Sequence, residues 1–491
     1  MREGPRDAGP RGASGPVRMQ AMSSRGTVAA GHPVTAAVGA DVLRAGGTAV
    51  DAAIACCLAS WACEPLLTGP GAGGYLLVAG GDLEPALLDF FVAAPSDGDR
   101  APLTGVDVSF GSAVQTFHVG ASSCGVPGTP AGLEEAARRW GTWSLADLAA
   151  PGARLARDGV ALNAQQGYIA GILEPILRLT PEVEAVWAPH GRVLGEGDVQ
   201  RQPELGDLLD RLGQEGAHPF YAGDLAAAVV EAVQARGGTL TAHDLASYAA
   251  LVREPAEVRY RGRTVLTNPP PSAGGTLLAL SFAALEQCDP PPSAEDLLAA
   301  MEAAARARTP EFFARLLGST THICVMDADG RACSVTCTNG EGSGIVAPGT
   351  GIHVNNIMGE EDLNPLGFFR VAPGTRMPSM MAPTAVVGDD GVRLALGSAG
   401  SNRIRSAILQ VVVGVLDRGL DVQAAVNAPR LHLEAGQVFA EPGVELAGRD
   451  VVAFAAPNVF FGGVQAVSRD PRTGVLHGAG DPRRGGAVVV A

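Results

Sequence analysis

The chain has 491 residues, 46% of them hydrophobic and 18% charged, the balance of a globular protein with a large core. A formal net charge of −15, carried without a single lysine, argues against a nucleic-acid binder, because phosphate recognition demands clustered Lys and Arg. No stretch approaches the roughly 18 continuous apolar residues of a membrane helix.

In chain order, the first 22 residues are rich in Pro, Gly and Arg and hold no apolar run. Residues 1–25 are therefore read as a disordered tail rather than a secretory signal, which places the protein in the cytoplasm. Residues 33–62 read as two helices, opened by Pro33, separated by Gly46-Gly47 and ended by Pro65. TGPGAGG follows, then two apolar strands, YLLVA and ALLDFFV. Residues 119–250 show helical periodicity with Gly stops, and a strand pair near 257–268 leads through PPPSAGG to a helical block at 277–317. From residue 320 onward the pattern is of strands punctuated by Gly, with one long helix at 402–418. The eight cysteines sit mostly in apolar segments without zinc-type spacing and read as buried, reduced thiols.

Three motifs bear on chemistry. Gly69-Pro70-Gly71-Ala72-Gly73-Gly74 fits G-x-G-x-x-G formally, but a helix precedes it and a strand follows, the inverse of a dinucleotide fingerprint. No metal constellation appears among the nine histidines, and no cofactor is expected. Gly318-Ser319-Thr320-Thr321-His322 stands at the mouth of the strand ICVMD. If the Ser319–Thr320 bond is cut, Thr320 gains an α-amino group with a pKa of about 7.7–8 beside its own hydroxyl, so that one residue supplies nucleophile and base. His322, two residues on, reads equally as a buried hydrogen-bonding residue on a strand or as a direct catalytic residue, its least role being to orient the threonine. Gly397 to Arg403 forms a Gly-rich strand-to-helix turn whose N–H groups suit an oxyanion.

Taken together, these residues resemble the γ-glutamyltranspeptidase family of self-processing N-terminal nucleophile hydrolases. The resemblance runs in the family's order from GHPVTAAVGADVLRAGGTAVDAAIA and TGPGAGGYLLV through GVPGTPAGLEEA, GGTLTAHDLASY and NPPPSAGGTLLAL to TTHICVMDADG. It continues through GSGIVAPGTGIHVNNIMGEED, SMMAPT, GSAGSNRI, NAPRLH and the terminal GAGDPR. It implies an α+β fold, the four-layer αββα sandwich, formed jointly by a large-subunit region, 26–319, and a small-subunit region, 320–491. It implies that Ser319–Thr320 is the autocleavage site and Thr320 the nucleophile. Thr338 then supports the nucleophile, and Gly400 and Ser401 form the oxyanion hole. On the substrate side it implies Asn339 near the nucleophile, Glu360 on an α-amino group and Ser379 on an α-carboxylate. The implied partners are a small-molecule or peptide amide and the two subunits of the same chain, with neither nucleic acid nor membrane.

The departures concern the acyl side. The arginine expected after Asp89-Phe90 is Phe91, the expected serine pair reads Ser379-Met380, and the expected glutamine after Asn355-Asn356 is Ile357. Losing a partly buried charged partner of this kind costs about 2–5 kcal/mol of recognition. Arg376 and Arg370 are the nearest replacements in sequence. The expectation is an amidohydrolase acting through an acyl-enzyme, with a changed acyl group and water as acceptor. Its alternatives are γ-glutamyl transfer or glutathione hydrolysis, and a non-catalytic homologue used for binding.

Overall fold

The computed structural model describes residues 24–109, 114–307, 321–364 and 367–491, so Ser319, Thr320 and most of the N-terminal tail lie outside the described residues. The chain opens with β1 (Gly26–Ala30), followed by α1 (Pro33–Arg44) and α2 (Ala49–Cys63). Local chemistry sets these helices. Pro33 stands at the start of α1, where its missing N–H costs nothing, and the His32 ring accepts the Val34 N–H. Gly46 takes φ +97° to end the turn, and Thr48 and Asp51 close a capping box on α2. Every residue of α2 is buried, as expected for a helix apolar on all sides.

Two antiparallel sheets face each other behind these helices. The strands in chain order are β2 (Gly73–Gly80), β3 (Leu83–Phe90), β4 (Leu251–Arg253), β5 (Ala256–Tyr260), β6 (Arg263–Thr267), β7 (Thr321–Asp327), β8 (Ala332–Thr338), β9 (Thr384–Gly388), β10 (Gly391–Ala399), β11 (Gly463–Arg469), β12 (Leu476–Gly480) and β13 (Ala487–Val490). The first sheet has the order β13-β1-β7-β8-β2-β3-β4 and the second β12-β11-β10-β9-β6-β5. Strands β7 and β8 pack on β10, α1 and α2 cover the outer face of the first sheet, and α3 (Ala273–Leu285) and α4 (Arg403–Leu416) cover the second. The result is an αββα sandwich, the layering that the resemblance implies.

The change of composition near residue 319 does not divide the fold. Strands from before it (β1, β2, β3, β4) and after it (β7, β8, β13) alternate in the first sheet, and one core cluster joins Tyr75 and Phe91 to Leu396 and Ile408. The long helix expected at 402–418 is α4, and a second, short helix follows at Val422–Asn427 that the reading of the sequence lacked. Its six residues are too few to display a periodicity; Asp421, whose side chain caps Ala424 N–H, is its local signal. All eight cysteines are free thiols, and seven are buried.

Candidate active site

The site is built where strand ends from both sheets converge. In the β7–β8 hairpin Thr321 pairs with Cys337, so Thr338 is the next residue along β8. Thr338 pairs in turn with Gly73 of β2, and a Cβ on Gly73 would lie 2.6 Å from Val92 N and 3.0 Å from the Phe91 carbonyl carbon. Only a glycine lets the segment after β3 approach that closely. Thr338 Oγ1 accepts the Gly340 N–H at 2.8 Å and thereby shapes the turn after the strand. On that turn Asn339 donates its N–H to Leu67 O at 3.0 Å and its side-chain amide to His353 O at 3.2 Å.

Glu360 is buried, and its carboxylate overlies Gly340 beside the Asn356 side chain: a Cβ on Gly340 would lie 2.4 Å from Glu360 Oε1 and 2.0 Å from Asn356 Oδ1. Glu360 is thus brought, from its own segment, over the turn that carries Thr338 and Asn339. From the second sheet, β10 runs into Gly400 and Ser401 before α4 begins. Gly400 has φ +115° and Ser401 φ +52°, and a Cβ on Gly400 would lie 2.7 Å from Gly462 Cα. A left-handed serine is uncommon, and here the Arg403 and Ile404 N–H groups, bonded back to Gly400 O and Ser401 O, lock the turn.

The remaining predicted residues stand farther out. Ser379 is buried, accepts the Met381 N–H on its Oγ at 3.0 Å, and receives the start of α3 on its carbonyl through Ala273 N at 2.8 Å. Phe91 is wholly buried and stacks on Tyr75 with ring centroids 5.6 Å apart. Arg376, one of the two candidate replacement cations, is already engaged: it pairs with buried Asp89, bonds Ala249 O and covers the Tyr248 ring. Arg253 also binds Asp89, so that pair of arginines neutralises a buried carboxylate on β3. Arg370, the other candidate, is exposed.

His322 is buried between Thr336 Oγ1, 2.9 Å from Nδ1, and Ser334 Oγ, 3.3 Å from Nε2. Burial pushes its pKa down to about 3, so it is a neutral hydrogen-bonding residue that ties β7 to β8. Two further groups at the site escaped the reading of the sequence. Glu64, just past the end of α2, is 3% exposed and accepts the Thr321 hydroxyl at 2.8 Å and the Thr35 hydroxyl at 3.1 Å. Burial lifts its pKa to about 7 against the opposing pull of those two hydroxyls. Arg484, the second arginine of the terminal Asp-Pro-Arg-Arg, lies along Gly463 and reaches the Gly400 turn. Glu64 had no signal beyond being charged in an apolar run, and Arg484 none beyond standing in a charged, Gly-rich one.

The gamma-glutamyltranspeptidase family model matches residues 35–316 and 299–491. The chain belongs to this family. Among relatives, it is 29% identical to a glutathione hydrolase proenzyme of Bacillus subtilis (strain 168), covering 94% of this chain and 91% of that one. It is 30% identical to the acylase ACY 1 proenzyme of Pseudomonas sp. (strain V22), covering 96% and 94%. Among solved structures, cephalosporin acylase from Bacillus halodurans superposes with a TM-score of 0.80 at 27% identity over 98% of both chains. As a member of the gamma-glutamyltranspeptidase family the protein is an enzyme of amide-bond hydrolysis or acyl transfer, with the N-terminal nucleophile hydrolase fold.

Proposed function

We propose that the protein is a self-processing amidohydrolase whose nucleophile is Thr320, with regions 26–319 and 320–491 as its two subunits. The observation that supports it is that Thr338 follows Cys337, the partner of Thr321, while Gly397, three residues before the Gly400–Ser401 turn, packs on the His322 ring of the strand that begins immediately after the candidate nucleophile. The proenzyme names of its relatives support the processing step. In processing, the Thr320 hydroxyl attacks the Ser319 carbonyl carbon and the amide nitrogen leaves as the free α-amine. Water then hydrolyses the resulting ester to a Ser319 carboxylate and restores the hydroxyl. In turnover the α-amine takes the hydroxyl proton, the hydroxyl attacks a substrate amide, and the Gly400 and Ser401 N–H groups stabilise the oxyanion. The leaving amine departs with a proton and water resolves the acyl-enzyme. Such an oxyanion donor is typically worth about 3 kcal/mol.

On the acyl side, Phe91 in place of a cation supports an acyl group less polar than free γ-glutamate. A second reading, γ-glutamyl transfer or glutathione hydrolysis, is favoured by the retained Glu360, poised over Gly340 for an ammonium group. Mass spectrometry tests the processing: two fragments are expected from the wild type and one intact chain from Thr320→Ala, and a single intact species from both sinks the proposal. A γ-glutamyl anilide separates the two substrate readings, since strong turnover favours the second.

A further inference from the structure

Glu64 joins the end of α2 to two other parts of the site. Its N–H bonds Ser60 O at 2.6 Å, and its carbonyl receives the Leu67 and Thr68 N–H groups at 2.9 and 3.2 Å. Leu67 O in turn receives the Asn339 N–H, so the turn that holds Glu64 is bonded directly to the turn after β8. The side chain reaches the other way. Its Oε1 accepts the Thr35 hydroxyl of α1 and its Oε2 the Thr321 hydroxyl of β7, the second bond the shorter by 0.3 Å (2.8 against 3.1 Å). Gly31 leaves room for the carboxyl, since a Cβ there would stand 2.3 Å from Oε2.

Thr321 is one peptide bond from Thr320, the proposed nucleophile. The pairing of β7 with β1 stops at Ile323, so Thr321 is held by its pairing with Cys337 on one side and by the Glu64 carboxyl. The other titratable groups here keep one charge state at neutral pH. Burial raises the thiols of Cys56 and Cys63 on α2, so both stay protonated. His32, beside Gly31, is lowered to about 4 by burial and stays neutral. Arg484, which lines a narrow cavity with Glu64 and Gly31, is lowered to about 10 by burial and stays a cation. Glu64 itself titrates at about 7, raised by burial. Ionised, it is an acceptor only and takes both hydroxyls at once; protonated, it must donate from one oxygen, and one of the two hydroxyls has to turn round.

We propose that Glu64 is a positioning residue for self-cleavage: its ionised carboxyl, by holding the Thr321 hydroxyl, sets the orientation of the Ser319–Thr320 bond, and its protonated form releases that hold. This rests on the self-processing reading of Thr320. Glu64 exchanges no proton with the reacting atoms in this role, so the bonds made and broken are those already given. A misplacement of about 1 Å in a reacting group costs about 10²-fold in rate, the scale expected when the hold is lost.

The test follows cleavage of the full chain by mass spectrometry, after cell-free translation and dilution into buffers from pH 5.5 to 8.5. Wild type is expected to cleave faster as pH rises through about 7, where the carboxylate forms. Glu64→Gln, which cannot ionise, is expected to lose that step. Thr321→Val is expected to lose it and to cleave about 10²-fold more slowly at pH 8, and Thr321→Ser, which keeps the hydroxyl, to recover most of the rate. Thr35→Val is expected to keep the step with its midpoint moved to higher pH, because the Thr35 bond favours the carboxylate, and to slow cleavage less than Thr321→Val. A purely structural bond would slow Thr35→Val and Thr321→Val alike and leave the midpoint in place. That result, a wild-type profile without a step, or a step that survives in Glu64→Gln overturns the assignment alone. Wild type that never cleaves, or Thr320→Ala that cleaves as wild type does, overturns the self-processing reading beneath it.

Discussion

Glu64 illustrates how a single buried side chain sets a pH response. Its carboxyl is enclosed by Thr35, Thr321 and Gly31, where a Cβ on Gly31 would lie 2.3 Å from Oε2. Its neighbours include Cys63, itself pushed up to about 12 by burial and so uncharged. The folded-state pKa of about 7 lies above the unfolded value near 4.5. The folded state therefore holds this proton more tightly, and the stabilising contribution is complete below pH 4.5 and is lost as pH rises to 7. The shift corresponds to roughly 3 kcal/mol between those limits. Glu64→Gln, which cannot ionise, is expected to flatten the dependence of unfolding free energy on pH across that window, measured by urea denaturation at pH 4.5, 6 and 8. An unchanged slope would contradict the burial argument. Nothing in Cys-Glu-Pro announces this environment, because the hydroxyls that face Glu64 come from positions 29 residues before it and 257 after it.

At the scale of elements, glycines decide how closely strands and helices meet. The start of α3 sits on the Ser379–Met380 segment, and a Cβ on Gly274 would lie 1.9 Å from Met380 O, a backbone atom that cannot swing aside. Gly274→Ala is expected to destabilise the fold by about 1–3 kcal/mol through overpacking. The measurement is a lower urea midpoint with an unchanged m-value. The same substitution should displace Ser379, whose carbonyl receives the Ala273 N–H. Gly397 on β10 is crowded too, by the His322 ring of β7, whose Cε1 is 2.3 Å from where a Cβ would stand. The PPPSAGG and GSAGSN runs were visible as turns from composition. Their partners were not, since glycine records that something comes close without naming it.

For the whole molecule the decisive fact is the interleaving of strands. β7 and β8, from after residue 319, lie between β1 and β2, from before it, and the outer strand β13 closes on β1. Cleavage at Ser319–Thr320 would therefore leave two chains sharing one sheet and one core. The two fragments are expected to co-elute on gel filtration in native buffer and to separate only in denaturant; two separately eluting species would contradict this topology. The change from helix-rich to strand-rich sequence near residue 319 marks a boundary along the chain and none in space, because antiparallel pairing draws partners from distant segments as readily as from near ones.

Local propensity and order along the chain determined much of this protein by themselves: the helices α1, α2 and α4, the hairpins, the Gly-rich turns and the family with its αββα fold. Those features depend on short-range periodicity, capping and motif order, all of which are written in neighbouring residues. Tertiary structure alone decided which charges are spent and which are left over. Arg376 looked available until Asp89 and Tyr248 were found holding it, and Arg484 looked like one more arginine until the fold laid it along Gly463 against the Gly400 turn. Electrostatic identity is a property of surroundings, and those surroundings are assembled from residues hundreds of positions apart.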